Sequence, residues 1–356
     1  MKYIILLMLS IIPLTAQITY EGNAEGAGKG KHLVFVASDH EYRAEETCTA
    51  LARILAKHHG FKCTVLYGVN EQGEITAGAS DIKGLAALKE ADLMVIFTRF
   101  LNLPEEQMQH IIDYTERGGP VVGFRTSSHA FKIPKDSKFA RYSFNYKGED
   151  YVGGFGQQIL GNTWEGHYGR NHIQGTRIQL IPEQKSHPIL VGVEDGAFCY
   201  AGGYNGVIRE GMTVLTNSQP MVALKKDAGL DEKKAPVAST WIREYTSTSG
   251  QKGRVFHSTQ GASEDLLDEN YRRMVVNGIF WAAGQEDAIK ADANIEFVGP
   301  YTPSVFATKG YVRGVKPEDL QNYDSAIMPG GPGPVPEKAR DRRAGKKSKK
   351  KKKAKE

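Results

Sequence analysis

The sequence contains little cysteine. Only Cys48, Cys63 and Cys199 occur among 356 residues. Because an odd number of thiols cannot all be paired, we expect the hydrophobic core, and not a disulfide framework, to hold the fold together. Cys48 shares a predicted helical face with Leu51 and Leu55, and that spacing favours packing over chemistry.

Motifs that identify several common enzymes are also missing. The sequence has no GxxxxGK[ST] phosphate loop, no CxxC pair, no HExxH and no GxSxG. These absences argue against phosphoryl transfer and against a zinc peptidase.

Long hydrophobic runs are scarce. The main apolar stretch, at 4–14, follows Lys2 and is followed by Thr15-Ala16-Gln17. It is too short for a membrane-spanning helix, which needs about 20 apolar residues. The layout is that of a cleaved export signal, so we predict a signal peptide at 1–16 and a periplasmic or extracellular mature protein. An uncleaved membrane anchor is the alternative.

Acidic residues are few at the end of the chain. Residues 337–356 carry twelve Lys or Arg against three Asp or Glu, so the formal charge of +5 becomes −4 for the remaining body. We predict a disordered Pro/Gly linker and Lys-rich tail at 331–356. This tail is either simply solvated or attracted to an anionic envelope polymer. No aromatic residue interleaves its lysines, which argues against specific nucleic-acid binding.

Strand and helix patterns alternate through the first half of the chain. Short apolar runs predict strands, and amphipathic segments between them predict helices. The predicted strands lie at 32–37, 61–67, 93–99 and 120–124, and the predicted helices at 43–58, 81–90 and 104–117. This order predicts an α/β fold in which helices cover both faces of a parallel sheet.

The second half is less regular. Residues 125–170 form an irregular excursion rich in Gly and aromatic residues, which indicates a functional or lid role. Further strands are predicted at 174–181, 212–216, 236–243 and 253–259, and a closing helix at 264–283. We divide the chain into a flexible lead-in at 17–30, an α/β domain at 31–290 and a surface extension at 291–330, followed by the linker and tail.

Three polar loops are predicted to meet at one edge of the sheet. They follow the first, third and fourth strands and read SDHEYR (38–43), TRFLN (98–102) and RTSSHAF (125–131). Ligands of open parallel sheets bind beyond the carboxyl ends of the strands, where such loops gather. The candidate residues in these loops are Asp39, His40, Glu41, Arg99, Arg125, Ser127, Ser128 and His129.

We assign catalytic roles to three of these candidates and substrate binding to the rest. His129 or His40 could move a proton near neutral pH, and Arg125 could polarise a carbonyl or hold hydroxyl groups. The alternative is that Asp39 is a helix cap and that each histidine is structural.

A second cluster, NTWEGHYGRNH, lies at 162–172. Aromatic residues beside polar ones suit sugar rings, so we predict that Trp164, His167 and the later Tyr204 bind substrate. No cofactor is firmly implied. A divalent metal held by His167, His172 and a carboxylate stays open as an alternative, although the spacing matches no tight ligand motif.

The order of several motifs resembles the ThuA-like (trehalose utilisation) proteins, and in particular a secreted branch of that family. The motifs are SDHEYRAEE, LPEEQMQHIIDYTERGGPVVGF, GNTWEGHYGRNHI, SHPIL, PVASTWIREY, GRVFHSTQGASEDL and RRMVVNGIFWAAG, which together cover roughly residues 31–284. The resemblance implies a flavodoxin-like, class I glutamine amidotransferase-like sheet. It also implies uptake or conversion of disaccharides through keto-sugar intermediates.

The chain departs from these relatives at two turns. Amidotransferases place a nucleophilic cysteine after the fourth strand, where this chain has Arg125, so glutamine hydrolysis is not expected. Typical family members have glycine and histidine at that turn and at the end of a late strand. This chain has Phe124-Arg125 and Gly261-Ala262, and His129 could substitute for the first of those histidines.

Two functional hypotheses follow. The first is an exported carbohydrate-active enzyme that uses acid–base chemistry on a disaccharide or keto-sugar, without a cysteine nucleophile. The second is a non-catalytic sugar-binding or envelope-associated module that uses the same cleft for recognition.

Overall fold

The computed structural model describes residues 16–346. The predicted signal peptide, apart from Ala16, and the last ten residues of the predicted tail lie outside this range. None of the helices formed by residues 16–346 combines the length and the apolar character that crossing a membrane requires.

Twelve strands and four α-helices form within these residues. The strands are β1 Gln17–Tyr20, β2 His32–Ser38, β3 Lys62–Tyr67, β4 Leu93–Thr98, β5 Val121–Phe124, β6 His167–Tyr168, β7 Thr176–Leu180, β8 Phe198–Cys199, β9 Gly203–Tyr204, β10 Met212–Pro220, β11 Val237–Thr246 and β12 Lys252–Ser258. The helices are α1 Ala44–His59, α2 Glu105–Glu116, α3 Glu269–Ala282 and α4 Glu337–Arg343.

One large mixed sheet organises the described residues. Its ten strands run in the order β1-β3-β2-β4-β5-β12-β11-β10-β7-β8, and β6 pairs separately with β9. The five strands from β3 to β12 in this order are parallel to one another, whereas the strands added at either end are antiparallel. The chain turns from β3 back across β2 to β4, so a topological switch point lies between β2 and β4. The predicted α/β flavodoxin-like fold is confirmed, with an antiparallel flank added.

Strand β2 shows why the sheet is covered on both faces. Its side chains alternate between two hydrophobic clusters, because successive residues of a strand point to opposite faces. Phe35 packs in the cluster that contains α1 and α3, and Val34 packs in the cluster that contains α2. The buried thiol of Cys48 belongs to the first cluster, as its helical spacing predicted.

Two segments are more ordered than the sequence predicts. Within the predicted flexible lead-in, β1 pairs with β3, and Ile18 is buried opposite Val65. Within the predicted linker and tail, residues 331–346 include α4, and Arg343 pairs with Glu264. In both cases a contact with a distant part of the chain, with β3 or with Glu264, stabilises a segment whose composition alone predicts disorder.

The predicted surface extension at 291–330 is held by a buried arginine of α1. The Arg53 guanidinium donates hydrogen bonds to the carbonyl oxygens of Leu320 at 2.9 Å and Ser325 at 2.6 Å. It also donates to the Tyr20 hydroxyl at 3.0 Å. The extension buries Phe306 completely, so this segment is part of the packed body and not merely a surface strip.

Candidate functional site

The turns beyond β2, β4 and β5 hold unusual backbone conformations. Five non-glycine residues have positive φ among residues 16–346, and three of them lie in these turns: Arg43 (61°), Phe100 (54°) and Arg125 (41°). A fourth, His172 (66°), lies beside Glu41 of the first turn. Side chains other than glycine rarely adopt this region, and such strain persists mainly where function requires it. We call residues 38–43, 98–102 and 125–129 the floor of the site.

Arg125 lies at the centre of the floor and is completely buried. Its Nη1 donates hydrogen bonds to the carbonyl oxygens of Gly202 at 2.6 Å and Thr259 at 2.7 Å. The guanidinium carbon lies 3.9 Å from the Tyr42 ring centroid and 4.5 Å from that of Tyr204, a double cation–π contact. Among residues 16–346, the Nε and Nη2 donors have no hydrogen-bond partner. Part of the Arg125 donor set is therefore structural, and part is buried without an acceptor in the described residues.

His129 is buried beside Arg125 among aromatic rings. The Ser128 hydroxyl is 3.2 Å from the Arg125 carbonyl oxygen and 3.1 Å from His129 Nδ1. When that hydroxyl donates to the carbonyl, its oxygen accepts the Nδ1 proton, which leaves Nε2 as a bare acceptor. No residue in the described part of the chain hydrogen-bonds to Nε2. Burial, and then the charges of Arg99 and Arg125, hold the His129 pKa well below its ordinary value, so the imidazole is neutral.

Glu41 and Arg99 form an ion pair at the rim of the floor. Arg99 Nη1 donates to Glu41 Oε2 at 2.5 Å, and His172 Nε2 lies 3.7 Å from Glu41 Oε1. Burial by itself would raise the pKa of Glu41, but His172 and the Arg99 guanidinium outweigh it and hold the pKa below its usual range. Arg99 keeps an unpartnered Nε.

The remaining predicted floor residues have mainly structural contacts. Asp39 Oδ1 accepts the backbone N–H groups of Glu41 and Tyr42, which shapes the turn before α1. Asp39 does not cap this helix, because the N-cap residue of α1 is Arg43. The Ser127 hydroxyl donates to the Ile96 carbonyl oxygen at 2.7 Å and so ties the β5 turn to β4. His40 lies at the edge, with its ring centroid 6.1 Å from that of Phe100, and burial lowers its pKa.

Residues 161–172 and 203–205 close over the floor, and we call them the cover. The Trp164 ring lies 5.1 Å from the His129 ring between centroids, and His167 lies 5.6 Å from Trp164. β6 and β9 pair His167 with Tyr204. His167 Nε2 is 3.2 Å from the Tyr42 hydroxyl, and burial followed by the Arg125 charge lowers the His167 pKa to about 4. The cover therefore packs ring on ring against the floor.

A gap too narrow to hold a water molecule lies between the cover and the sheet. It is lined by Ser128, Asn162, Thr163, Trp164, Tyr204, Asn205, Trp241, His257 and Thr259. Pockets for organic ligands usually measure about 300–1,000 Å³. This gap therefore has no room for an organic ligand while the cover is closed.

The alternative metal site does not assemble. Within the part of the chain that the structure describes, no three His, Cys, Asp or Glu side chains gather in a group that could hold a metal ion. His167 contacts the Tyr42 hydroxyl, whereas His172 contacts Glu41. The two histidines that the sequence suggested as joint ligands therefore have different partners.

The structure brings the predicted site residues together, and it adds four residues that the sequence did not single out for binding or catalysis. The floor and the cover contain every predicted site residue, although Ser127 and Asp39 serve the backbone. Tyr42 and Phe100 lie inside the predicted polar loops, and His172 enters the sequence analysis only as a metal ligand. Phe306 carries no local signal, because it lies 101 residues beyond Asn205, the last residue of the cover.

The fold and the site together define a flavodoxin-like α/β protein with a buried arginine, Arg125, and a buried histidine, His129, in the turn after β5. A family model described as ThuA, trehalose utilisation, matches residues 31–282, and the chain belongs to this family. The resemblance stated from the motifs is thereby confirmed, whereas the secreted branch stays a prediction.

Two crystal structures of ThuA-like proteins are similar to this chain. One, from Bacteroides uniformis ATCC 8492, is 13% identical, with 76% of this chain and 97% of that chain covered and a TM-score of 0.46. The other, from Parabacteroides merdae ATCC 43184, is 16% identical, with 78% and 94% covered and a TM-score of 0.40. A search of curated proteins finds no match to the chain.

Proposed function

We propose that the protein is an exported enzyme that acts on a disaccharide or keto-sugar by acid–base chemistry. The observation that carries the proposal is the unpartnered Nε2 of a neutral His129 beside the unpartnered donors of Arg125. A base next to a cluster of fixed donors suits proton abstraction beside a ketone, because the negative charge then develops on the ketone oxygen. Membership of a trehalose-utilisation family supports a carbohydrate as the substrate.

In the proposed reaction, His129 Nε2 removes the proton from the carbon beside a ring ketone. The electrons of that C–H bond move into a C=C bond, and the ketone oxygen becomes an enolate oxygen. The free Arg125 donors stabilise this charge, and so does the Tyr204 hydroxyl, because burial keeps the Tyr204 pKa well above its ordinary value and the phenol protonated.

The charges of the site couple proton removal by His129 to the formation of the enolate. Before reaction, the two guanidinium charges oppose protonation of His129. As the enolate charge grows, it offsets them and raises the proton affinity of the imidazole. The protonated His129 then returns its proton to carbon, or to a departing glycosidic oxygen if the leaving group sits beside the abstracted position.

Access to His129 depends on Trp164. Gly161 at φ 92° and Gly166 at φ 139° flank this tryptophan, so the chain on both sides adopts conformations that favour glycine. Displacement of the indole would open the route to His129. Its face could then stack on the sugar ring.

Solvent exchange tests the proposal directly. Purified protein is incubated in D₂O with trehalose and with oxidised trehalose that carries one ring ketone, and deuterium at the adjacent carbon is followed by NMR. We expect exchange or cleavage with the oxidised sugar alone. His129→Gln should abolish it, whereas the matched control His110→Gln on α2 should not. Absence of exchange in the wild type, or full exchange in His129→Gln, contradicts the proposal.

A second candidate is a non-catalytic sugar-binding or envelope-associated module. The observation that favours it is the complete burial of His129, whose ring is packed against Trp164 of the cover. Calorimetry that shows sugar binding without exchange or cleavage would select this candidate. In either case we propose that the Lys-rich tail attracts the protein to an anionic envelope polymer.

A further inference from the structure

The family match ends at residue 282, yet a residue well beyond it reaches the site. We propose that Phe306 is a positioning residue that holds His172 of the cover and Tyr42 of the floor in place, and that the segment around Phe306 therefore helps to set the affinity of the site for its sugar. The inference rests on the proposed use of this site for a carbohydrate.

Phe306 contacts one residue of the floor, Tyr42, and one of the cover, His172. Its ring stacks on His172 with 4.5 Å between centroids and an interplanar angle of 27°, and it lies 5.1 Å from the Tyr42 ring. His172 has a φ of 66°, a strained conformation that the stacking contact helps to hold. Because Phe306 is completely buried, it acts through these neighbours and does not touch a ligand itself.

The two residues that Phe306 contacts, His172 and Tyr42, each interact with a different part of the site. His172 Nε2 approaches Glu41, which pairs with Arg99 at the rim. The Tyr42 ring lies beneath the Arg125 guanidinium, and its hydroxyl contacts His167 of the cover. One ring thus supports both the ion pair at the rim and the cation–π contact at the centre.

The segment around Phe306 is fastened by buried carboxylates. Glu264 Oε2 accepts the Phe306 backbone N–H at 3.0 Å. The Arg343 guanidinium of α4 donates hydrogen bonds to both Glu264 carboxylate oxygens, at 2.8 and 2.7 Å. Glu46 Oε2 accepts the Ser304 backbone N–H at 2.7 Å. Bidentate guanidinium–carboxylate pairs are among the stronger polar contacts in proteins. Helix α4 therefore fixes the position of Phe306 by way of Glu264.

Substitution of Phe306 by leucine tests the proposal, because it removes the ring while keeping an apolar side chain of similar size. Phe297→Leu is the matched control, since Phe297 lies in the same segment and stacks on Tyr301 instead of on a site residue. Two quantities are measured: the rate at which diethyl pyrocarbonate modifies His172, by peptide mass spectrometry, and the Kd for oxidised trehalose, by calorimetry.

We expect Phe306→Leu to raise both quantities by about tenfold, and Phe297→Leu to change them by less than about twofold. Arg343→Gln should give an intermediate increase. Equal behaviour of the two leucine variants overturns the positioning role. Faster His172 modification with an unchanged Kd overturns the effect on affinity. If the wild type neither binds nor converts the sugar, the proposed function fails, whereas the His172 modification rates still decide whether Phe306 positions that side chain.

Discussion

The floor and the cover of the site are stabilised by different forces. Floor side chains such as Arg125 and Ser127 are completely buried and hydrogen-bonded to backbone groups of the sheet and its loops. Cover side chains such as Trp164 and His167 remain partly exposed and contact their neighbours ring on ring. Loss of a buried hydrogen-bonding partner costs more than loss of a half-exposed contact. Folding should therefore depend on the floor, and ligand binding on the cover.

The largest expected effect is on the floor. Arg125→Met leaves the buried carbonyl oxygens of Gly202 and Thr259 without their donor, and should lower the free energy of unfolding by about 2–5 kcal/mol. Urea unfolding measures this loss. Arg170→Met, at an exposed position of the cover, should change stability by less than about 0.5 kcal/mol. Similar losses in the two variants would remove the distinction between floor and cover.

A smaller loss is expected for Ser127→Ala. The variant loses the hydrogen bond to the Ile96 carbonyl oxygen, which ties the β5 turn to β4, and should be destabilised by about 1–2 kcal/mol. Thermal and urea unfolding check this value. The exposed Ser186→Ala serves as the control, and a loss in Ser127→Ala no larger than in this control would contradict the structural role.

The cover should show a pH-dependent contribution from His167. Its pKa is lowered to about 4 in the folded protein by burial and by Arg125, so the unfolded chain binds more protons between about pH 4 and pH 6.5. The wild type should therefore lose stability as the pH falls through this window, and His167→Gln should lose less. Urea unfolding of both proteins at pH 7.5 and pH 4.5 measures the difference. Parallel losses in the two proteins would contradict the prediction.

Trp164→Ala should separate binding from folding most clearly. The indole is partly exposed, so we expect a stability loss of only about 1 kcal/mol or less. Affinity for oxidised trehalose should fall by about tenfold or more, because the stacking surface is lost. Unfolding and calorimetry on the same preparation test both parts. A stability loss as large as that of Arg125→Met would show that the cover also supports the fold.

The smallest effect on stability is expected from deletion of residues 347–356. This lysine-rich stretch lacks apolar residues other than Ala354, so the free energy of unfolding should change by less than about 0.5 kcal/mol. Retention on an immobilised polyanion at low salt should fall at the same time. Unchanged retention would contradict the proposed attraction to anionic polymers.

The sequence predicted the parts of the molecule that depend on local pattern. Strands such as β2 and β4 are continuous apolar runs, and their order along the chain implies that the loops after them meet. It did not predict β1 or α4, because each is stabilised by a partner that is distant in the sequence. Strand β1 pairs with β3, and helix α4 is held through the ion pair with Glu264. Periodicity also identified the later strands without revealing that β10 and β11 pair antiparallel.

The site likewise combines features that local sequence predicts with features that depend on tertiary packing. The polar residues of the three loops were identified because they directly follow buried strands. The unpaired donors of Arg125 and the stacking of Phe306 on His172 are products of tertiary packing, and no spacing rule encodes them.

Arg53 has a consequence for the order in which the protein assembles. Its guanidinium joins helix α1 to carbonyl groups that lie 245 to 272 positions later in the chain. Contacts between residues this far apart in the sequence form slowly. The entropy of closing a long loop is lost before the contacts can stabilise the structure. During synthesis on the ribosome, these contacts form only after the chain has emerged as far as Ser325. Docking of the last segment, and with it a competent site, should therefore be a late event in maturation.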